Sequence, residues 1–317
     1  MENERIWSID VKEFKGIKRL LHGPIKLAKF NVLVGRNSSG KTSLLEALAL
    51  LPQPNQRLPF VEPPISMMTR ADVVKSSHFG QTDSFVYGYS GVAELIYSVG
   101  GFGSTLFLQT DGKFHFEITN RNDVPKNRVV QSDSRADKPI VLDQAPISLS
   151  RIITSYYSAY LNDSWQETLC VEKNWKSVEK VRAHNKVLRE VISPAIAETF
   201  TEVVPHYLEP ARRWILQARK EFPDGTSSWI RLSELGEGLQ RAIVPLLIFE
   251  STNASVILWD DLEAGMHPSL VESVLRYLSK RDWQIVLATH SIDVLAVLAD
   301  LEPQSGCPSY SSQKVFR

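Results

Sequence analysis

Apolar residues recur along the chain in two rhythms. Three short runs, Phe30–Val34 (FNVLV), Ser255–Trp259 (SVILW) and Gln284–Ala288 (QIVLA), are nearly continuous and rich in β-branched residues. Runs of that kind predict strands buried on both faces of a parallel sheet. Two longer stretches predict helices. Ser43–Leu51 has no breaker, and Gly236 and Gly238 open an apolar stretch that runs to Glu250. Pro245 falls about two turns into the second stretch, which predicts a kink or a late start.

The middle of the chain is patterned differently. Ser90–Asn120 alternates as strands do, with the Asp-Gly step of Thr110–Lys113 (TDGK) as a hairpin turn. A helical stretch is predicted over Ser148–Val204. A hairpin over Arg212–Leu232 follows, turning at Pro223-Asp224-Gly225. Leu51–Pro64 is a proline-rich loop, and Asn120–Pro139 is polar and reads as a mobile loop. The apolar-poor tail, 301–317, is expected to be irregular and a poor source of a further strand.

Composition narrows the class. The 317 residues are 43% hydrophobic, enough for a sizeable core. Lys plus Arg equals Asp plus Glu at 36 each, so any nucleic-acid contact needs a local patch. The start, MENERIWSID, has no apolar signal core, and no run approaches the ~18 apolar residues of a membrane span. Cys170 and Cys307 form no metal spacing and no disulfide framework. A cytoplasmic protein without membrane contact is expected.

Between the first strand and its helix lies Gly35-Arg36-Asn37-Ser38-Ser39-Gly40-Lys41-Thr42, followed by Ser43. The pattern G-x-x-x-x-G-K-[ST] in a strand-to-helix turn is a phosphate-binding loop. Its glycines let backbone N–H groups curl round phosphate oxygens, and the following helix aims its positive end at them. Lys41 is expected to reach the β- and γ-phosphates, and Thr42 to offer its hydroxyl to Mg²⁺. The chain is therefore expected to bind a nucleoside triphosphate. The second strand ends in Asp260 and Asp261, and the third in Thr289-His290-Ser291. A carboxylate at the second tip can hold Mg²⁺, another can orient water, and a neutral histidine can hydrogen-bond a phosphate or water.

The order of phosphate loop, glycine signature, acidic strand and histidine resembles the ABC-type ATPases. Val11–Lys18 (VKEFKGIK) and Leu262–Leu270 (LEAGMHPSL) are similar to the non-transporter branch with RecF, the SMC proteins and OLD-type nucleases. The resemblance implies an α/β fold: a P-loop NTPase of ABC-ATPase type, with a mainly parallel sheet flanked by helices, an N-terminal antiparallel β part and a helical insertion. One ATPase domain would span 1–317, with 1–51 and 211–300 as nucleotide-binding core and 52–210 as an inserted β/helical lobe.

It further implies ATP and Mg²⁺ as cofactors and an ATP-dependent, head-to-tail homodimer. Gly35 to Ser43 of one subunit would hold ATP while Gly236 and Gly238 of the other touch its γ-phosphate. Thr42 and Asp260 would hold the metal, Asp261 would position or deprotonate water, with Glu263 as a candidate to share that role, and His290 would sense the γ-phosphate. Two positions depart from the family. Asp261 stands where glutamate is usual, which implies slow hydrolysis, and Gly236 replaces a serine. Gln53, Gln56 and Gln81 are candidates for the Mg²⁺-sensing glutamine, and Phe14 and Lys15 for an adenine contact.

The expected function is an ATPase that drives or gates a separate effector in DNA repair or defence against foreign DNA. The alternatives are an ATP-gated scaffold with little hydrolysis and a transporter's nucleotide-binding subunit. Lys173, Lys176, Lys180, Arg182, Lys186 and Arg189 are candidates for DNA contact, but Glu172, Glu179 and Glu190 dilute them towards a solvated helix face. No heptad segment supports an SMC-type arm, and the tail is too short for an OLD-type nuclease domain.

Overall fold

The computed structural model describes residues 5–51, 54, 69–76, 83–100, 102–120, 128–132, 152–155, 166–252, 254–305 and 311–312. Strands β1 (Ile6–Phe14), β2 (Ile17–Arg19), β3 (Ile25–Lys26) and β4 (Phe30–Val34) precede the helix Lys41–Ala49. Then come β5 (Val92–Val99), β6 (Phe102–Gln109), β7 (Phe114–Asn120), β8 (Arg128–Ser132) and β9 (Ile152–Ser155). Short helices fill much of 166–196, ahead of β10 (Thr199–Leu208), β11 (Arg213–Glu221) and β12 (Ser227–Arg231). The helix Glu237–Ser251, β13 (Val256–Asp260), the helix Pro268–Ser279, β14 (Gln284–Thr289), the helix Ile292–Ser305 and β15 (Ser311–Ser312) complete the order.

The strands form three sheets. A five-stranded parallel sheet has the order β15-β4-β14-β13-β9. The antiparallel β2-β1-β5-β6-β7-β8, with β3 also on β1, makes a seven-stranded sheet, and β10-β11-β12 makes a three-stranded one. The expected parallel sheet and N-terminal antiparallel part are both present, but their balance is corrected: among the described residues antiparallel strands outnumber parallel ones. The cause is the middle of the chain, whose β5 pairs with β1 and whose hairpins extend that sheet.

The helix Lys41–Ala49 lies between the lobes, against β1 on one side and β13 and β14 on the other. Leu44, Leu45 and Leu48 are fully buried there. One buried amide joins the two sheets, and a second ties β4 to β14 and to the β3–β4 connection. Gln284 accepts from Ile6 N–H at 2.8 Å and donates to Ile6 C=O at 2.7 Å and Ala28 C=O at 3.1 Å. Asn31 donates to Ala28 C=O and Ile285 C=O, both at 2.9 Å, and accepts from Ala28 N–H at 2.7 Å. Each group is buried and satisfied, so the two sheets are held in register by hydrogen bonds as well as by apolar burial.

Both expected hairpins form, with Gly112 and Gly225 at positive φ in their turns. Five local expectations need correction. Ile152–Ser155, placed in the helical stretch, is the edge strand β9, because a short apolar run beside a parallel sheet gains a full ladder. Thr199–Val204, placed at the end of the same stretch, belongs to β10. Arg128–Ser132, read as loop, pairs with β7, and Ser311–Ser312 in the tail pairs with β4. The helix carrying Pro245 starts at Glu237, so it does not start late.

Candidate functional site

Three strand tips build the site. β4 delivers the loop Gly35–Gly40, which turns through Ser38 (φ +61°) and Gly40 (φ +87°) into the helix beginning at Lys41. A Cβ on Gly35 would stand 2.6 Å from Ser39 Oγ, so the loop is drawn tight at its start. Arg36, Asn37 and Ser38 are exposed, whereas Lys41 is buried. Its ammonium donates to the Gly35 carbonyl at 2.9 Å and the Arg36 carbonyl at 3.1 Å. The amino group is thereby held across the loop's own opening.

Thr42 leaves the first helical turn and donates its hydroxyl to Asp260 Oδ2 at 2.7 Å, joining the loop to the tip of β13. Asp260 Oδ1 is buried with no hydrogen-bond partner among the described residues, as is Ser39 Oγ. Burial, and then the charges of Asp261 and Glu46, push the Asp260 carboxyl up to about 6; the Thr42 hydrogen bond and Lys41 act the other way. Glu46 had no place in the sequence reading. Its signal was an acid inside the apolar run SLLEALALL.

Asp261 follows at φ +44° and is half exposed. Its backbone N–H donates to Ala288 C=O at 3.0 Å, which fixes it beside β14. His290, at the tip of β14, places Nδ1 3.3 Å from Asp261 Oδ1 and 3.4 Å from Glu263 Oε1. Glu263 is almost enclosed, and its Oε1 accepts from Thr289 Oγ1 at 2.6 Å and from His290 N–H at 3.2 Å. Asp261, Glu263 and His290 therefore share one cluster beside Asp260.

The two signature glycines are separated in role. Gly236 caps the helix Glu237–Ser251, and a Cβ there would meet nothing within 4 Å. Gly238 is buried, and a Cβ there would stand 2.3 Å from Gly265 O and 2.9 Å from Met266 Cα. The signature helix thus rests directly on the segment that follows the acids. Arg241 adds a bond to Ala264 C=O at 3.3 Å.

Other candidates are placed elsewhere. Phe14 and the Lys15 side chain are buried, and Lys15 Nζ lies 2.7 Å from Glu46 Oε2 in an enclosed ion pair, so neither side chain is open to an adenine. Lys176 pairs with Glu172 and Lys186 with Glu250, in keeping with a diluted helix face. In the Leu262–Leu270 stretch, His267 caps the helix Pro268–Ser279, its side chain accepting from Ser269 N–H. Gln53, Gln56 and Gln81 lie outside the described residues.

Residues 30–296 match the sequence profile of the family described as "AAA domain, putative AbiEii toxin, Type IV TA system". The chain belongs to that family. This AAA-domain protein also shares its fold with SMC heads. An SMC head bound to the C-winged helix domain of ScpA matches at 13% identity and TM-score 0.59, covering 92% of this chain and 91% of that one. A second has an extended coiled coil and is bound to the C-terminal domain of ScpA derived from Pyrococcus furiosus. It matches at 12% identity and TM-score 0.53, with the same coverage. No curated protein matches the sequence. The AAA-domain protein accordingly combines its family's AAA domain with the SMC-head fold. Among its described residues no helix is long and apolar enough to cross a membrane.

Proposed function

We infer that the chain binds ATP with Mg²⁺ and hydrolyses it slowly, as a nucleotide-gated head-to-tail dimer that drives or gates a separate effector. The observation that carries this reading is the Thr42–Asp260 bond, which brings a phosphate loop and an acidic strand tip together. The local chemistry fits the cofactor. Ser39 Oγ and Asp260 Oδ1 are buried and unpartnered, and a carboxyl pushed up to about 6 by burial is one that a cation would relieve. Bound Mg²⁺ would offset charge on the β- and γ-phosphates.

Gly35 to Ser43 would cradle the phosphates with backbone N–H groups, and Lys41 would exchange its two carbonyl partners for phosphate oxygens. Thr42 and Asp260 would hold the metal. Asp261, exposed beside His290, would accept a proton from water or orient it, and His290 would hydrogen-bond the γ-phosphate. The whole chain, 1–317, would act as one ATPase domain. A site this open favours a cover, and Gly236 of a second subunit, where an added Cβ would meet no described atom within 4 Å, would supply it. The toxin–antitoxin wording of the family description supports defence against foreign DNA as the setting, with DNA repair next.

Asp261 favours a second reading. Its carboxylate is one methylene shorter than a glutamate's, so a scaffold that binds ATP and scarcely turns it over also fits. Phosphate release, measured over a range of protein concentrations with and without linear duplex DNA, separates the two. A rate per subunit that rises with concentration supports the dimeric ATPase, and a further rise with DNA supports the DNA-linked role. A negligible rate with intact ATP-dependent dimerisation supports the scaffold. Neither turnover nor nucleotide binding would overturn both.

A further inference from the structure

We propose that Glu263 is the residue that positions His290, setting its ring and its tautomer, and that it is not a second base beside Asp261. The proposal rests on the ATPase reading and gives one of its acids a different task.

The two carboxylates of the cluster are unlike. The Asp261 side chain is 51% exposed and the Glu263 side chain 12%, so water reaches the first far more readily than the second. Glu263 Oε1 is already committed: the Thr289 hydroxyl donates to it at 2.6 Å and the His290 backbone N–H at 3.2 Å. Thr289 Oγ1 in turn accepts from Ser291 N–H at 3.0 Å. One oxygen therefore ties Thr289, the last residue of β14, to His290 just beyond it, and through the threonine hydroxyl reaches Ser291, where the chain leaves the sheet.

The same oxygen lies 3.4 Å from His290 Nδ1, and Asp261 Oδ1 lies 3.3 Å from that nitrogen. Ionised carboxylates only accept, so a nitrogen facing two of them carries its proton. The proton held on Nδ1 leaves Nε2 as the nitrogen that meets a ligand, as when a buried carboxylate fixes the ring of a catalytic histidine. Glu263 sits in the segment on which the signature helix rests, one residue before the Ala264 carbonyl that Arg241 reaches and two before Gly265 beneath Gly238. Its backbone is therefore held independently of the histidine it orients.

The test compares Glu263→Ala, Glu263→Gln, His290→Ala and the Glu263→Ala/His290→Ala double variant in steady-state ATP turnover, with thermal melting to follow folding. Glu263→Ala is expected to lower kcat ~10–100-fold with KM for ATP little changed. Glu263→Gln keeps an acceptor oxygen for Thr289 and His290 and should recover most of that loss. In the His290→Ala background, Glu263→Ala should cost less than about 2-fold more. A Gln variant as inactive as the Ala variant, with the loss persisting without His290, would show instead that Glu263 acts on the reacting water.

Nitrogen-15 spectra of the histidine rings give a readout that needs no turnover. His290 of the nucleotide-free wild type should carry its proton on Nδ1, and that preference should weaken measurably in Glu263→Ala, where Asp261 alone still faces the nitrogen. An unchanged tautomer in that variant overturns the proposal. If the wild type hydrolyses no ATP, the ATPase reading fails, and the ring spectra alone decide the role of Glu263.

Discussion

Asp260 meets opposite demands from the fold and from its proposed ligand. Without nucleotide, burial and the neighbouring charges of Asp261 and Glu46 hold its carboxyl at about 6, against an ordinary 3.8. The folded chain thus binds this proton more tightly than the unfolded chain does. Its contribution to stability is full below pH 4 and declines as the pH rises from about 4 to about 6. The loss amounts to at most about 3 kcal/mol, the free energy of that gap. Asp260→Asn, which can still accept from Thr42, is expected to abolish the decline and to leave the nucleotide-free protein more stable than wild type at pH 7. Urea unfolding of both proteins between pH 4 and pH 7.5 reads this directly, and parallel curves would refute it. The same variant is expected to lose Mg²⁺-dependent nucleotide binding. Stability would then rise as binding falls, the usual sign of a residue kept for its ligand. The sequence makes Asp260 visible because a strand must end where the acid begins. It shows only part of the pressure on Asp260, the neighbouring Asp261, because the rest comes first from burial that no local pattern encodes and then from Glu46 on a separate helix.

At the scale of elements, two contacts hold the site's framework together, and each gives a contrasting pair of variants. Gly238→Ala would drive a methyl into the Gly265 carbonyl and the Met266 backbone, which have no flexible end to give way. It is expected to destabilise the protein by about 1–3 kcal/mol. Gly236→Ala meets open space and should cost under about 1 kcal/mol, its helix cap being only modestly poorer. Equal melting temperatures for the two would refute the contrast. Lys15 and Glu46 join the β1–β2 turn to the helix after the phosphate loop, with side chains 6% and 1% exposed. Glu46→Gln leaves the ammonium enclosed without its countercharge and is expected to cost about 3–5 kcal/mol. Lys15→Met with Glu46→Leu should recover most of that, as chemical denaturation of the single and double variants would show. These contacts were hidden in the sequence, as was the pairing of β5 with β1, because they join residues far apart in the chain. The signal for β4, β13 and β14 was strong because a strand buried on both faces must be apolar throughout. β9 and β15 are short edge strands under no such demand, and their runs read equally well as helix or tail.

Over the whole molecule, the site is open to solvent in a single chain. Thr42, Asn37 and Ser38 are exposed, Asp261 and His290 are half exposed, and Gly236 faces open space. Ile292, two residues after His290, is 79% exposed, the most of any large hydrophobic side chain described. An apolar side chain is common enough on a surface. One that stands next to a polar site proposed to exclude water is better explained by a cover that arrives with the ligand. If ATP closes two copies over this face, Ile292 is buried only in the closed form. Ile292→Asp should then leave the monomer's melting temperature and its binding of a fluorescent ATP analogue unchanged, because neither state requires that side chain to be covered. The same variant should abolish the ATP-dependent rise in mass seen by light scattering and, with it, the dependence of phosphate release on protein concentration. A charge introduced into an interface core costs several kcal/mol, so partial dimerisation at micromolar concentration is not expected. Asp261→Asn makes the complementary case. It should preserve nucleotide binding, stop turnover and hold the dimer closed, so that mass stays high long after the wild type has returned to monomer. An Ile292→Asp protein that still dimerises with ATP would place the interface on another face of the molecule and leave the open site without its cover.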